Sequence, residues 1–272
     1  MKKVVIILAL VLTSTMTFAQ DTPPAAAPAP AAAPASKFTA SVDVVFPYLW
    51  RGIALNSTKK IAFQPYLSYA FTDKLTAGLW GTTNFSNDDT PNNYSYNEFD
   101  WYVSYQITPI VKVMLSDYYS NYPGYKVDYF DYQSSTQAVD LSVLLNFSDK
   151  GVPLDFQWNT LIAGGDFKYN LNGDKSRNFS SYTEVGYTHS IASAGIDLRA
   201  FAGAVVNESG YYVTDGFTFT NVGLNVAKSI KISESYSIPV FVRYTYNDKG
   251  NVKADGNSVN NFISGGVTFK IF

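Results

Sequence analysis

Apolar and polar side chains alternate from residue 37 to the end of the chain, in blocks that recur about every 20 residues with polar connections between them. The clearest block is residues 98–107. Phe99, Trp101, Val103, Tyr105 and Ile107 share one face there, and Glu98, Asp100, Tyr102, Ser104 and Gln106 share the other. Successive side chains of a β-strand point to opposite sides, so each block reads as a strand with one apolar and one polar face. The first block, about residues 38–50, puts Phe38, Ala40, Val42, Val44, Phe46 and Tyr48 on its apolar face. In the last, residues 260–272, Ile263, Gly265, Val267, Phe269 and Ile271 oppose Ser264, Gly266, Thr268 and Lys270. The weakest is residues 180–191, where Thr183, Val185, Tyr187 and Ile191 are placed outward.

The blocks number about 12, and the connections between them alternate in length. Short turns fall at residues 72–74, 108–109, 148–153 and 233–235; long polar loops fall at 86–93, 120–135, 164–178, 207–216 and 247–258. An even number of strands with all short turns at one end predicts an all-β, up-and-down antiparallel barrel, both termini lying on the short-turn side. The apolar faces carry more large aromatics than one sandwich core holds, which favours a barrel facing lipid over a secreted β-sandwich. Aromatics also gather at strand ends, with Tyr48, Trp50, Phe85, Trp101, Tyr118 and Tyr246 at the long-loop end and Phe38, Phe71, Phe147 and Phe156 at the other. Two such girdles are expected where a barrel meets both membrane interfaces.

Composition agrees with this. The chain has 272 residues, 46% hydrophobic and 16% aromatic, with 21 Tyr, 19 Phe and no Cys. Its mean hydropathy of −0.05 is too polar for a helical membrane protein, and no run reaches the ~18 apolar residues that a spanning helix needs. A closed barrel is the other architecture that can span a bilayer. The absence of cysteine excludes a disulfide frame, a lipoprotein anchor and a thiolate metal site. A net charge of −2 gives no basic face for nucleic acid.

Residues 1–19 read as a secretory signal peptide, with Lys2 and Lys3 ahead of the apolar residues 4–12 and a small-x-small site at Thr17-Phe18-Ala19. Residues 20–36 are a Pro/Ala tract, with prolines at 23, 24, 28, 30 and 34, that reads as an extended periplasmic spacer. The barrel then occupies residues 37–272.

Catalytic chemistry finds little support. The one histidine, His189, falls low on the eighth strand and on the lipid-side register, away from any carboxylate partner. Asp88 and Asp89, with Asn87 and Asn92, have oxygens suited to Ca²⁺, but a solvated polar loop is the better reading of them. No cofactor motif appears, and no enzyme activity is expected. The polar faces are more informative. Arg51, Glu98, Asp100, Asp140, Glu184, Arg199 and Arg243 are placed inward as pore-lining candidates, with Asp43, Asp155, Asp197, Lys60, Lys74, Lys112 and Lys270 completing a charge-balanced lumen. Such a lumen either hydrates a narrow channel or closes through ion pairs. Eight strands fill with side chains and about 16 leave an open pore, so about 12 lies between. No segment is large enough for a separate plug domain.

Two resemblances narrow this. Ser264, Gly266, Phe269, Ile271 and Phe272 resemble the C-terminal signal by which bacterial outer-membrane barrels engage the insertion machinery, with Phe272 one position past the usual end. Tyr48-Leu49-Trp50-Arg51-Gly52-Ile53, then Gln64-Pro65, residues 77–84 (AGLWGTTN) and residues 98–102 (EFDWY), resemble the TorF-type porin family over about residues 41–119. The Pro/Ala spacer departs from that pattern. The resemblance implies a passive channel for small polar solutes or ions in a Gram-negative outer membrane, bathed by lipid and lipopolysaccharide. Arg51, Glu98 and Asp100 are the matching ionisable positions, read either as a constriction or as an ion pair pinning the register. A closed structural or adhesive barrel acting through its outer loops is the alternative.

Overall fold

The computed structural model describes residues 37–56, 60–86, 89–90, 93–121, 129–133, 137–252 and 258–271. The signal peptide, the Pro/Ala tract, Asp88 and Phe272 lie outside them. Twelve strands form one closed antiparallel barrel. They are β1 (Phe38–Phe46), β2 (Ala62–Ala70), β3 (Leu75–Thr83), β4 (Asn97–Gln106), β5 (Val111–Asn121), β6 (Gln137–Asn146), β7 (Leu154–Gly164), β8 (Ser181–Ile191), β9 (Ile196–Val205), β10 (Thr218–Lys231), β11 (Ser237–Val252) and β12 (Ser258–Lys270). Each pairs with the next. The ring closes between β12 and β1, where Ser41 faces Lys270 and Phe46 faces Gly265. Closure leaves neither terminal strand with an unpaired edge, which is why an apolar strand can end the chain.

Both ends of the barrel sequence lie at the short-turn rim, with turns at residues 71–74, 107–110, 147–153, 192–195 and 232–236. The alternation resolves into two faces as expected. Ile263 is 72% exposed on the outside while its neighbours Phe262 and Ser264 are buried inside. Strand β8, the faintest pattern, keeps the same register, with Val185, Tyr187 and His189 outward and Tyr182, Glu184 and Gly186 inward.

The aromatic girdle at the long-loop rim needs correction. Phe85, Trp101 and Tyr246 do lie on the outer side, but Tyr48, Trp50 and Tyr118 are 3%, 9% and 2% exposed and sit inside the barrel. Tyr118 is inward because it pairs with Asp100 and shares the face of Met114, Ser116 and Ser120. Tyr48 and Trp50 are inward because β1 ends at Phe46 and residues 47–56 fold back into the lumen. A twelve-stranded ring is wider than its own wall side chains can fill. The apolar core therefore lies inside the long-loop half, where Val45, Tyr48, Trp50, Tyr96, Tyr118, Leu161, Tyr182 and Tyr212 pack together.

Candidate functional site: a hairpin across the lumen beneath a vestibule

The element that fills the lumen is a two-residue hairpin. Leu49–Trp50 pairs with Ile53–Ala54, and Arg51 and Gly52 form its tip. Both tip residues have positive φ, 49° and 81°. A tight β-hairpin turn of the primed type demands that geometry at both central positions, and glycine supplies it without strain at the second. Gly52 is needed for space as well: a Cβ there would overlap the carbonyl oxygen of Thr220 on β10. Its own carbonyl accepts a hydrogen bond from Asn247 Nδ2 on β11 at 3.0 Å.

Arg51 reaches the other way. Its Nη2 lies 2.7 Å from Asp140 Oδ2 on β6, and its Nη1 donates to the Tyr212 hydroxyl. The hairpin thus touches β10 and β11 on one side and β6 on another, and it spans the lumen. Asp140 is fully buried and also accepts from Tyr118 and Ser142. Rings enclose the guanidinium, with Trp50 at 4.6 Å, Tyr182 at 5.0 Å and Tyr212 at 6.0 Å from Cζ to ring centroid. Burial works against its charge, but Tyr212 and Asp140 outweigh this and hold Arg51 protonated well above the ordinary arginine value. Tyr212 arrives from the loop between β9 and β10, where the short strands Glu208–Ser209 and Thr214–Asp215 pair, and it stacks parallel on Trp50 at 5.2 Å.

Below the hairpin lies a second tier. Arg199 on β9 binds Asp155 at 2.5 Å and Glu184 at 2.9 Å. Glu184 also accepts from Tyr182 at 2.5 Å and from Asn221 at 2.6 Å. Arg243 on β11 donates to Asn221 at 3.1 Å and lies 4.1 Å over Phe201. Tyr182 joins the tiers, since its hydroxyl meets Glu184 and its ring meets Arg51; Gly203 beside it leaves the room that a side chain would take. Glu98 accepts at Oε2 from Tyr96 at 2.9 Å and from Tyr48 at 3.3 Å, and Asp100 Oδ1 accepts from the Tyr119 amide.

All seven candidates therefore face the lumen, in two tiers: Arg51, Asp140, Glu98 and Asp100 at the hairpin, and Glu184, Arg199 and Arg243 beneath it. Of the remaining ionisable positions, Asp43, Lys112 and Asp197 are on the inward face, whereas Lys74 and Lys270 are exposed at the short-turn rim. His189 is exposed on the outer face. Much polar capacity remains unspent along the lumen, Thr82, Asp100 and Thr220 near the hairpin included. Asp43 Oδ1, Gln64 Nε2, Asn225 Oδ1, Ser264 Oγ, and Nε and Nη1 of Arg243 are buried with no partner among the described residues. Above the hairpin, a vestibule of about 480 Å³ is lined by Trp50, Tyr96, Glu98, Phe167, Tyr211 and Tyr212.

Sequence reasoning missed the hairpin, Tyr182 and Tyr212. The available signal was Arg-Gly flanked by Trp and Ile, a turn pair between strand-forming residues at the end of what read as the first strand.

A family model described as a bacterial protein of unknown function (Gcw_chp) matches residues 29–260. That description differs from the TorF-type porins that residues 41–119 resemble, and it carries no activity. No curated protein matches. Among solved structures, the chain is similar to the NanC porin in a rhombohedral crystal form, at 11% identity over 84% of this chain and 97% of that one, with a TM-score of 0.48. It is also similar to LpxR from Salmonella typhimurium, at 9% identity over 85% and 99%, with a TM-score of 0.35.

Proposed function

We propose that this chain, which belongs to the Gcw_chp family of bacterial proteins of unknown function, is an outer-membrane channel for small polar solutes or ions that is held closed at rest by the Arg51 hairpin. The observation that carries the reading is a short hairpin that crosses an otherwise polar lumen. It is anchored to the wall by the Arg51–Asp140 ion pair and by the Asn247 amide on the Gly52 carbonyl. The wall around and below it keeps buried polar groups without a partner among the described residues, which suits water or a polar solute and not a dry core.

The apolar exterior supports the membrane assignment. Phe38, Phe63, Leu67, Leu79, Val103, Trp158, Leu224, Val242 and Ile263 are exposed on it, far more contiguous apolar surface than a water-soluble protein presents. On this reading the short-turn rim is periplasmic and the long loops face outward. Residues 1–19 direct export, residues 20–36 form the spacer, and the final strand with Phe272 engages the insertion machinery. The resemblance of residues 48–53 to TorF-type porins supports the channel over the enzyme reading, since those residues build the seal.

Single-channel conductance of residues 20–272, refolded and placed in a planar bilayer, tests this. Rare, small steps are expected for the natural sequence, and longer, larger ones for Arg51→Ala and Asp140→Asn. A silent bilayer for all three, with heat-modifiable gel mobility showing folded barrels, sinks the channel and favours a closed barrel acting through its outer loops.

A further inference from the structure

Two cations stand together at the long-loop rim, above the apolar outer wall. We infer that Lys175 and Arg177 bind a phosphate of a phosphorylated glycolipid headgroup in the outer leaflet. The inference rests on the outer-membrane part of the reading above and not on conduction.

Residues 165–180 connect β7 to β8, and within them Phe167–Tyr169 pairs with Lys175–Arg177 as a short hairpin. The Asn170 side chain closes its turn, accepting from the amides of Asn172 and Asp174 and donating to the Asp174 carboxylate, each at 2.9 Å. Lys175 and Arg177 are two positions apart on one strand, so they leave from the same side of the hairpin. Both lie against the Phe167 ring, Lys175 Nζ at 4.2 Å and Arg177 Cζ at 4.4 Å from its centroid. One ring thus holds two like charges close together, an arrangement that an anion relieves.

The cations are positioned, and their charge is open. Arg177 Nη1 donates to the carbonyls of Gly164 at 2.5 Å and Asp166 at 3.4 Å, which pins the guanidinium over the end of β7. Lys175 Nζ donates to Gln133 Oε1 at 3.2 Å, an exposed contact. Neither has a carboxylate within 4 Å among the described residues. Residues 167–177 carry Lys168, Lys175 and Arg177 against Asp174 alone, and Asp174 is engaged in the turn. Asp166, just before them, is buried and accepts from the amide and hydroxyl of Ser180 at 2.8 and 2.5 Å. Lys175 is exposed and Arg177 half-buried, so both are open to a ligand.

Gln133 places this group beside the outer wall. It belongs to the loop between β5 and β6, whose Tyr129 ring packs 4.8 Å from Tyr119 and whose Tyr132 hydroxyl donates to Asp117 at 3.1 Å. Tyr119 and Asp117 pair with Phe99 and Trp101 on the outward register. Phe130 in that loop, Ile162 on β7 and Phe179 just before β8 are exposed apolar residues on the elements that carry the two cations. Cations at the edge of an apolar wall match an amphiphile whose phosphate sits above its acyl chains, and guanidinium and ammonium donors suit phosphate oxygens.

The test uses the folded full-length barrel in detergent, titrated with diphosphoryl lipid A, the same lipid stripped of both phosphates, glucosamine 1-phosphate and inorganic phosphate. Bound lipid is counted by native mass spectrometry, and the soluble phosphates are followed by calorimetry. The diphosphoryl lipid should bind at least about tenfold more tightly than the stripped lipid or either soluble phosphate, a difference within reach of two charge-assisted contacts. Lys175→Gln and Arg177→Gln should each weaken it several-fold and leave the stripped lipid unchanged. Lys231→Gln, exposed at the short-turn rim, should change neither. Equal binding of the two lipids, a soluble phosphate bound as tightly as the lipid, or an equal loss in Lys231→Gln each overturns the proposal. If Arg177→Gln fails to fold because two carbonyls lose their donor, Lys175→Gln, whose hydrogen bond is exposed, still decides it. A barrel that inserts into vesicles yet binds both lipids alike sinks this site alone, and conductance enters none of these readouts, so the site and the channel reading fail separately.

Discussion

Arg51 and Asp140 lie 89 residues apart in the chain and meet at 2.7 Å in the middle of the barrel, both nearly free of solvent. Removing one member of a buried ion pair strands the other charge, at a cost of about 3–5 kcal/mol. The barrel wall does not depend on this pair, because its strands are held by their own ladders, so the cost falls on the hairpin. Arg51→Ala should therefore free the hairpin while the barrel stays folded, and tryptophan emission should shift to the red as Trp50 loses Tyr212 and meets water. Methylguanidinium in the bath should partly restore both emission and closure by refilling the seat between Tyr182, Tyr212 and Asp140. Loss of heat-modifiable mobility in Arg51→Ala would show instead that the hairpin is part of the folding core.

Gly52 tests the seal from its other side. An alanine there overlaps the backbone carbonyl of Thr220, the residue that the register of β10 against β9 skips, so β10 must shift at that irregularity, and the alanine also needs a left-handed conformation costing about 1–2 kcal/mol. Gly52→Ala should open the lumen about as far as Arg51→Ala, although it removes no charge. A closed Gly52→Ala barrel would mean that the hairpin can slide along β10.

The wall was legible in the sequence because a strand states its own register: Val185 and Tyr187 declare the outer face of β8, and Glu98 and Asp100 declare the inner face of β4. Continuing the register of β5 from Val111, Val113 and Leu115 already sends Tyr118 inward, so its assignment to the outer girdle set location along the strand above parity. The seal was not legible, for a different reason. Tyr48 continues the apolar parity of β1, and nothing in the alternation announces that the strand stops at Phe46. Nor does a loop's composition say whether it folds over the rim or into the lumen. The inward turn is decided by partners distant in sequence, Asp140, Tyr182, Tyr212 and Thr220, and only the closed ring brings them together.

The seal should withstand alkali to a definable limit. Burial, reinforced for Tyr48 by Glu98 and Asp100, raises the hydroxyls of Tyr48 and Tyr212 above the ordinary tyrosine value, and Tyr212 and Asp140 raise Arg51 above the ordinary arginine value against the opposing effect of burial. For groups whose folded values are raised, the stabilisation is complete below the ordinary value and is lost as pH rises through the folded one. Closure should thus be flat from neutrality to about pH 10 and decline above it as the released tyrosines ionise. Conductance and tryptophan emission followed together against pH, with Trp50→Phe as the control for the other three tryptophans, would report this. A transition well below pH 10 would place the controlling group elsewhere.

The membrane assignment makes a prediction separate from the channel. Ile263 stands on the outer face near the middle of β12, 72% exposed, and its neighbour Ser264 faces the lumen beside Arg243. A lysine on the lipid face costs about 2–4 kcal/mol at the bilayer midplane and close to nothing near the interfaces. Ile263→Lys should lose that amount in unfolding titrations from lipid vesicles, whereas Tyr246→Lys, on the same face close to the long-loop rim, should lose far less. Ser264→Lys should behave differently from both, because it sets a second cation against Arg243 inside the wall and its penalty persists in detergent, where Ile263→Lys should be nearly neutral. Equal stability of Ile263→Lys and the natural sequence in vesicles would remove lipid from the outer face and require some other cover for it.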